Sequence, residues 1–528
     1  MRRRKIAIAV LSAIALLAAG YLPAQAGAAD WEKLLNKAQE AARGKEYDEA
    51  TKLYNEAAAE CQNSKLEDKY LAKTYNDLAL VYEAQGKLAE AETYLTRALT
   101  IKEKLVDKED VSFTSSLGNL AALYRREGKF DLAQTQYQRA ISIIEKKSGA
   151  SDPRLAPFLT GIATLFTDKA KFAEAETALK RVVDLMKQAN NKDGQTVAMN
   201  NLAVTLRKQG KTAEAETIYK QVAELAASDN GLNSENAAHN KSAALNNLAR
   251  TYREKGQFDK AAPLLKQAVS VLLKDSSSKP ADVIIALDNL AMVDKELGNY
   301  LGAEEQYREA LAVAKTVSGV KPQGLAERMQ NLALALMAQE KFEEAEKLLK
   351  ESLALYEKSE GPNGPDVATA LTYLEEVYRE QEKFEQGEPL LLRALAIRKT
   401  SLGKDNPAVA TTSTDLALLY KQQGKAEKSL AYFQDAVRIR ETAPDSADLA
   451  TALNNLARVY RDQKRYAEAE PLYKKALAIR EKTFGPDDES VAAVLRNYAI
   501  LLRALNRADE AKLLDLRARK IENAKSAS

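Results

Sequence analysis

The sequence predicts an all-α protein, built as a solenoid of about twelve similar helix pairs. Three observations support this fold class. Glycine and proline contribute only 22 and 13 of the 528 residues, aromatic residues 6% and charged residues 29%, a composition typical of continuous helix. Apolar residues recur at offsets of three and four, as on one face of a helix. Nearly the same phrase also returns along the chain, as LNNLARTYREKGQFDKAAPLLKQAV at 245–269 and LNNLARVYRDQKRYAEAEPLYKKAL at 453–477.

The first 28 residues follow a different pattern, which predicts a secretory signal peptide. The basic MRRRK precedes the apolar run IAIAVLSAIALLAAG, and candidate A-x-A cleavage sites follow at 24–26 and 26–28. The apolar run is short for a bilayer span, which needs about 20 apolar residues. An uncleaved amino-terminal anchor remains the alternative. We therefore expect an exported protein, periplasmic or extracellular, with no membrane insertion after the leader is removed.

The charge of the chain does not indicate a nucleic-acid partner. The formal net charge is +3, and four positive charges, those of Arg2, Arg3, Arg4 and Lys5, lie in the predicted leader, so the remainder carries −1. The basic excess therefore belongs to the leader and not to a binding face. Cys61 is the single cysteine and has no partner for a disulfide within the chain. An exposed odd thiol would still allow pairing between chains.

Repeats fill residues 29–528. A small residue inside each FAEAE-like phrase recurs at intervals of 40 to 46 residues, most often 42. The twelve positions are Ala50, Ala91, Ala133, Ala175, Ala215, Ala261, Ala303, Ala345, Gly387, Ser429, Ala469 and Ala511. A fixed period in this range is typical of a solenoid. No stretch is left for a separate catalytic domain.

Each repeat is predicted to be two antiparallel helices joined by a short turn. In one repeat, Leu456, Ala457 and Tyr460 form the apolar stripe of the first helix, and Ala469 and Tyr473 belong to that of the second. The alanines let the two helices approach closely. Glycine in the turn supplies the backbone freedom to end the first helix, at Gly86, Gly128, Gly210, Gly256, Gly298 and Gly424.

These residues resemble the tetratricopeptide repeat family, specifically the 42-residue variety of kinesin light chains and many bacterial repeat proteins. The resemblance covers essentially the whole chain after the leader. It rests on the pattern NNLA.LY...GK..EAE.LY..AL.I.E and on connectors such as AIRKTSLGKDNPAVATT at 396–412 and AIREKTFGPDDESVAAV at 478–494. It implies a right-handed α-solenoid of helix-turn-helix repeats.

The resemblance also implies a function class, a scaffold that binds a partner peptide or protein in a concave groove lined by the first helix of each pair. Such repeats host many partners, so the fold does not identify the ligand. This sequence departs from kinesin light chains in its predicted leader and in lacking a long heptad segment before the repeats. We therefore do not extend the motor binding of kinesin light chains to this protein. A structural or self-associating protein of the cell envelope remains the alternative function.

An amide-rich ladder is the first candidate site in the predicted groove. The residue before each Leu-Ala pair is usually asparagine, at Asn119, Asn201, Asn247, Asn289, Asn331, Asn455 and Asn497. A carboxamide offers both a donor and an acceptor, which suits the backbone of a bound peptide. The same amides are equally suited to hold neighbouring repeats in register. Continuity favours the stretch from Asn201 through Asn331, because Gly161 and Tyr373 interrupt the ladder elsewhere.

A basic ladder is the second candidate. Five residues after the Leu lie Arg125, Arg207, Arg253, Lys295, Arg379, Lys421, Arg461 and Arg503. If they face the groove they favour an acidic ligand or a carboxylate terminus. The alternative is a solvated face, because basic residues in the last turn complement the helix dipole. The acidic neighbours that would neutralise them include Glu254, Glu296, Glu380 and Asp462.

No catalytic or cofactor motif appears in the sequence, so we expect no enzyme activity, no metal and no cofactor. The GKT at 210–212 lacks the earlier glycine of a phosphate-binding loop. His239 is the single histidine, which excludes a site with several histidine ligands. It falls in the longest connector, at 228–240, and is expected in a surface loop.

Overall fold

The computed structural model of the protein describes residues 27–105, 110–227, 237–317, 320–443 and 446–526. The predicted leader lies outside these ranges apart from residues 27 and 28, which open the first helix. The chain is 84% helical, with 24 α-helices and no strand in the described part. The all-α prediction is confirmed.

The chain divides into two compact units, and unit 1 comprises residues 1–278. Its helices pack as six consecutive pairs, and a short 3-10 helix, Pro153–Leu155, precedes α7. The helices are α1 (27–43), α2 (Tyr47–Asn63), α3 (Asp68–Ala84), α4 (Leu88–Leu105), α5 (Phe113–Arg126), α6 (Phe130–Ser148), α7 (Ala156–Asp168), α8 (Phe172–Gln188), α9 (Lys192–Lys208), α10 (Thr212–Ala227), α11 (Ala237–Glu254) and α12 (Phe258–Lys274).

Unit 2 comprises residues 279–528 and contains six further pairs in its described part. The helices are α13 (Pro280–Glu296), α14 (Tyr300–Thr316), α15 (Pro322–Met337), α16 (Phe342–Glu360), α17 (Pro365–Glu380), α18 (Phe384–Leu402), α19 (Pro407–Gln422), α20 (Ala426–Arg440), α21 (Ala447–Asp462), α22 (Tyr466–Phe484), α23 (Glu489–Ala504) and α24 (Ala508–Ser526). In both units the odd-numbered helix is the first of its pair.

One backbone conformation closes the first helix in all twelve described pairs. The residue five positions before the recurrent small residue has a positive φ in every pair. It is glycine in six pairs, as predicted. In the other six it is Lys45, Ala170, Glu340, Glu382, Lys464 or Asn506, with φ between 55° and 63°. Because side chains disfavour this left-handed region, the turn is imposed by the packing of the helices it joins.

The recurrent small residue of the second helix is buried in every described pair. The alanines at this position are all 0% exposed, and Gly387 and Ser429 are also buried. The contact partner is the residue after the Leu of the first helix, since the hydroxyl of Ser429 donates to the carbonyl of Ala417 at 2.8 Å. The small side chains therefore lie where the two helices approach most closely.

Within each unit, a polar clasp joins several neighbouring pairs and explains much of the repeated pattern. In unit 2, Glu388 of α18 accepts from the Tyr420 hydroxyl at 2.8 Å and pairs with Lys425 at 3.2 Å. Both partners belong to the following pair, and the Lys425 ammonium also lies 5.6 Å from the Tyr420 ring centre. In unit 1, Lys211 pairs with Glu176 in the same way, at 2.8 Å. The Tyr, Lys and Glu of the repeat motif therefore hold neighbouring helix pairs together.

Two local features depart from the regular pattern. Pro263 is the sixth residue of α12, inside the helix, and so lacks the N–H that would bond to the carbonyl of Asp259. Pro389 and Pro471 lie similarly in α18 and α22. The prediction of a surface loop for His239 is wrong, because α11 begins at Ala237 and places this exposed histidine in its first turn.

Candidate functional site

One stripe of each first helix is left uncovered by the neighbouring helices. On α21 it contains Thr451, Asn455, Arg458 and Asp462, spaced four, three and four residues apart, and all are half-buried or exposed. The corresponding positions of consecutive first helices lie side by side, because α5 touches α7, α9 touches α11, and α21 touches α23. We call this surface the first-helix face of each unit.

The predicted amide ladder lies on this face. All seven asparagines are half-buried. The amide of Asn119 donates to the Asn76 side-chain oxygen at 3.2 Å, and that of Asn497 donates to Asn454 at 3.1 Å. Each bond joins consecutive first helices, so these two amides hold adjacent repeats together.

The remaining amides differ from these two. Asn289 also has an interaction partner. The side chains of Asn201, Asn247, Asn331 and Asn455 make no hydrogen bond within the described part of the chain. Asn201 and Asn247 belong to unit 1, and Asn289 and Asn331 belong to unit 2. The amides that lack an internal partner are the ones available to a ligand on this face.

Much of the basic ladder is ion-paired, and in three cases the acid comes from the next first helix. Arg125 pairs with Asp168 at 2.8 Å, and Lys421 pairs with Asp462 at 3.0 Å. Arg207 holds Glu254 through two bonds, of 2.6 and 2.8 Å. In each case the acid is the last residue of its helix. These pairs fasten consecutive first helices.

The other basic residues lack such a partner. Arg461 pairs with its own neighbour Asp462 at 2.7 Å. Arg379 lies 3.6 to 3.9 Å from three acids of its own helix. Arg503 pairs with Asp515 of α24. Arg253 and Lys295 are half-buried near the ends of α11 and α13.

A cavity of about 170 Å³ opens on the first-helix face of unit 1, between α7 and α9. It includes Asn201 and carries no charged side chain. It is lined by Thr160, Ala163, Thr164, Thr167, Leu179, Asn201, Val204 and Thr205. The sequence analysis did not single out these threonines. Thr160, Thr164 and Thr167 are spaced four and three residues apart and therefore lie on one face of α7.

The equivalent position between α1 and α3 holds a larger cavity, of about 360 Å³. Tyr54 of α2 lies where the α7–α9 cavity has Leu179. The walls here include Arg43 and Asp77, so this cavity is charged and the other is neutral. The same place in the repeat therefore forms cavities of different chemistry within unit 1.

Gly161 interrupts the amide ladder beside the neutral cavity. A Cβ at this position would lie 2.5 Å from the ring of Tyr137, which reaches across from α6. Tyr137 is only 5% exposed. Its ring therefore occupies the space that a side chain at position 161 would need.

Three acids of the first helices in unit 2 have raised pKa values, and of these Glu375 is buried while Asp288 and Asp415 are half-buried. Burial raises the pKa of Asp288 to about 6, although Arg328 lies 3.0 Å away. Burial likewise raises the pKa of Asp415 to about 6 and that of Glu375 to about 7. Glu375 is only 1% exposed. These groups bind protons more readily than ordinary carboxylates.

The described residues contain no cluster of three His, Cys, Asp or Glu side chains suited to hold a metal ion. Cys61 lies inside α2, is 4% exposed, and burial raises the pKa of its thiol to about 11. A protonated, buried thiol is a poor nucleophile. None of the described helices has the length and apolar character needed to cross a membrane.

The repeated pairs and their first-helix faces define the class of protein, a helical repeat scaffold for protein interactions. The chain belongs to the tetratricopeptide repeat family, because the family model matches most of its length. The matched segments are 32–104, 112–188, 158–228, 195–274, 242–316, 325–400, 376–442 and 448–522. The resemblance found in the sequence is confirmed.

Solved structures give weaker similarities. BtubC (BKLC) from P. vanneervenii is 22% identical over 43% of this chain and 92% of that chain, with a TM-score of 0.40. A putative kinesin light chain of Podosopora anserina with nearly identical TPR-like repeats is 22% identical over 39% and 99%, with a TM-score of 0.36. The apo form of RapI is 14% identical over 55% and 98%, with a TM-score of 0.42. No curated protein matches the chain.

Proposed function

We propose that this protein is a non-enzymatic scaffold that holds an extended segment of a partner protein on the first-helix face of unit 1. Membership of the tetratricopeptide repeat family supports an interaction scaffold in general. The observation that carries the finer proposal is the α7–α9 cavity, which opens on this face and is bordered by the Asn201 amide.

The chemistry of the α7–α9 cavity suits a neutral stretch of peptide. The Asn201 amide has no hydrogen-bond partner within the described residues and offers a donor and an acceptor to a peptide backbone. The hydroxyls of Thr164 and Thr167 donate to carbonyls one turn earlier in α7, which leaves their lone pairs as acceptors. Leu179 and Val204 supply apolar walls. A small or apolar side chain therefore fits best.

The test is a binding measurement with a matched pair of variants. Thr164 and Thr177 are both exposed helical threonines whose hydroxyls bond to their own helix. Thr164 lines the cavity, whereas Thr177 lies on the second helix α8. Fluorescence anisotropy with a pool of random 12-residue peptides should show binding about tenfold weaker for Thr164→Arg. Thr177→Arg should bind like the wild type.

Equal binding by both variants would show that the cavity is not the peptide site. Sedimentation of the same samples addresses the alternative of self-association. A mass that rises with concentration, together with no peptide binding, would favour a structural assembly over a scaffold. Because Cys61 is buried, such an assembly would not be expected to depend on a disulfide between chains.

We also propose that the protein is exported, on the strength of the leader pattern in residues 1–28. Fractionation of the native host should recover a chain shortened at the amino terminus outside the cytoplasm. Retention of the full-length chain in a membrane fraction would instead support an uncleaved anchor. Deletion of residues 2–28 should leave the protein in the cytoplasm.

A further inference from the structure

One ion pair in unit 1 serves as an internal example of carboxylate recognition. Glu254, the last residue of α11, accepts two bonds from Arg207 of α9 and a third from Arg250 at 3.1 Å. Tyr219 of α10 is fully buried, and its hydroxyl lies within electrostatic range of all three groups. A carboxylate is thus held between two consecutive first helices, next to a buried tyrosine.

The equivalent place in unit 2 lacks the carboxylate. Arg461 of α21 occupies the position of Arg207, and Tyr473 of α22 occupies that of Tyr219. The residue that corresponds to Glu254 is Ala504, the last residue of α23. Asp462 accepts from Nε and Nη2 of Arg461 at 3.1 and 2.7 Å and also pairs with Lys421 at 3.0 Å, so it leaves Nη1 of Arg461 without an acceptor.

Several hydrogen-bond donors are therefore left without acceptors around this position. Nη1 of Arg461 and Nε of Arg458 are buried and have no hydrogen-bond partner among the described residues, whereas Nη1 of Arg207 bonds to Glu254. The hydroxyls of Tyr473 and of the equivalent Tyr219 both lack a partner there, so the tyrosine does not distinguish the two places. Tyr473 is 0% exposed. Arg458 and Arg461 are three residues apart on α21 and therefore lie on the same side of that helix. The charges of both act on the Tyr473 hydroxyl. Orphaned buried donors are uncommon in native proteins and call for a missing acceptor.

We propose that this position between α21 and α23 binds the carboxylate of an aspartate or glutamate side chain of a partner peptide. The inference rests on the scaffold function proposed above and gives unit 2 its own specificity. The bound carboxylate would take the place that Glu254 occupies in unit 1. It would accept from Nη1 of Arg461, as Glu254 accepts from Nη1 of Arg207, and Nε of Arg458 would supply a further donor.

The geometry favours a carboxylate over other anions. Glu254 shows that the spacing of consecutive first helices admits a planar group with two oxygens bound to one guanidinium. Asp462 lies beside Arg461 and would repel a doubly charged phosphate more strongly than a single negative charge. The peptides used in the test therefore include a phosphoserine version.

The experiment compares two pools of 12-residue peptides, random except for one central position that is Glu in one pool and Gln in the other. Binding to the full-length protein is measured by fluorescence anisotropy. We expect the Glu pool to bind about tenfold more tightly, because charge-assisted hydrogen bonds are the stronger ones. A third pool, with phosphoserine at that position, should bind no better than the Gln pool.

Ala504→Glu supplies the missing acid from within the chain and should abolish the preference for the Glu pool. Ala467→Glu adds the same charge at an exposed position of α22 and should leave the preference intact. Arg461→Met should reduce the preference as Ala504→Glu does. Loss of the preference in the Ala467→Glu control as well would overturn the proposal, because it would mean that net charge alone sets the binding.

Equal binding of the Glu and Gln pools, including no detectable binding of either, overturns the proposal. A preference for the phosphoserine pool also overturns it, in favour of a phosphate site. The two proposals fail separately. Thr164→Arg should weaken the binding of the Gln pool, which depends on the α7–α9 cavity of unit 1, and should leave the tighter binding of the Glu pool in place. Ala504→Glu should do the reverse, because it acts on the Glu pool only.

Discussion

Two repeats of unit 2 solve the same packing problem with different residues. In the pair α21–α22, the helices cross at Ala457 and Ala469, both 0% exposed. In α17–α18 the corresponding residues are Glu375 and Gly387, and a Cβ on the glycine would lie 3.1 Å from Cγ of the glutamate. A larger side chain on one helix is thus matched by a smaller one on the other. The crossing therefore limits the combined volume of the two side chains, and not the volume of each one separately.

The second difference between the two crossings is electrostatic. The alanine crossing contains no polar side-chain atom, whereas Glu375 brings a carboxyl group whose Oε1 has no hydrogen-bond partner. Arg379 lies 3.6 Å from that oxygen, and the negative charges of Asp415, Glu376 and Glu380 oppose its ionisation. Burial is the main reason for its raised pKa. The α17–α18 pair therefore holds a titratable group that the α21–α22 pair lacks.

The largest expected effect is the transfer of the glutamate into the regular pair. Ala457→Glu places a carboxylate against Ala469, and we expect a loss of about 3 kcal/mol or more in the free energy of unfolding. Ala469→Gly in the same chain should recover part of it. Urea unfolding measures both, with exposed Ala467→Glu as the control. A loss no larger than that of the control would contradict the account of the crossing.

A double-mutant cycle tests the match between Glu375 and Gly387. Gly387→Ala gains helix propensity but crowds the glutamate, whereas in a Glu375→Ala background it only gains. We expect the substitution to be more favourable in that background by about 1–2 kcal/mol. Additive effects of the two substitutions would show that the residues do not share the crossing.

The raised pKa of Glu375 predicts that this repeat weakens as the pH rises. Its ordinary value is 4.5 and its value in the fold is about 7. The folded state therefore binds the proton more tightly, and the stability it contributes is full below pH 4.5 and is lost as the pH rises towards 7. Protection factors of the α17 amides, which correct exchange rates for their intrinsic pH dependence, should fall in this way in the wild type. Glu375→Gln should remove the trend, and a trend that persists in the protection factors would assign it to another group.

The pair α21–α22 should respond to pH in the opposite sense, and this is the smallest of the four effects expected here. Lys474, Arg507 and the Tyr498 hydroxyl bond to Glu470, and they lower the pKa of this carboxyl from 4.5 to about 2. The stability it contributes is present above pH 4.5 and is lost as the pH falls towards 2. Protection factors of the α22 amides, which correct for the intrinsic pH dependence of exchange, should fall over that range in the wild type and less in Glu470→Gln. Equal falls would show that the clasp does not carry the effect.

The sequence predicted the pairs because the period and the helical spacing are properties of single segments. It predicted six of the turns from glycine but did not predict the other six, where residues such as Glu382 and Lys464 adopt the same conformation under the constraint of packing. Gly387 was recognised as a recurrent small residue. Its relation to Glu375 was not recognised, because it depends on which side chains meet across the two helices.

The candidate site was predicted in part. The acids that pair with Arg207 and Lys421 were named from the sequence as neutralising neighbours, but their geometry required consecutive first helices to lie side by side. The bonds of Asn119 and Asn497 across repeats have the same origin. Peptide binding by the amide ladder and the basic ladder stays a prediction. The α7–α9 cavity depends on the packing of three helices, and no single segment reveals it.

The twelve left-handed turns make each repeat an interchangeable segment. A cut at Glu340 and another at Glu382 fall on the same backbone conformation 42 residues apart. A segment removed or duplicated between such points would leave a junction of the kind already present. Unequal recombination between copies of the gene can therefore lengthen or shorten the protein by whole repeats. The number of repeats, and with it the number of sites offered to partners, is open to change without a new fold.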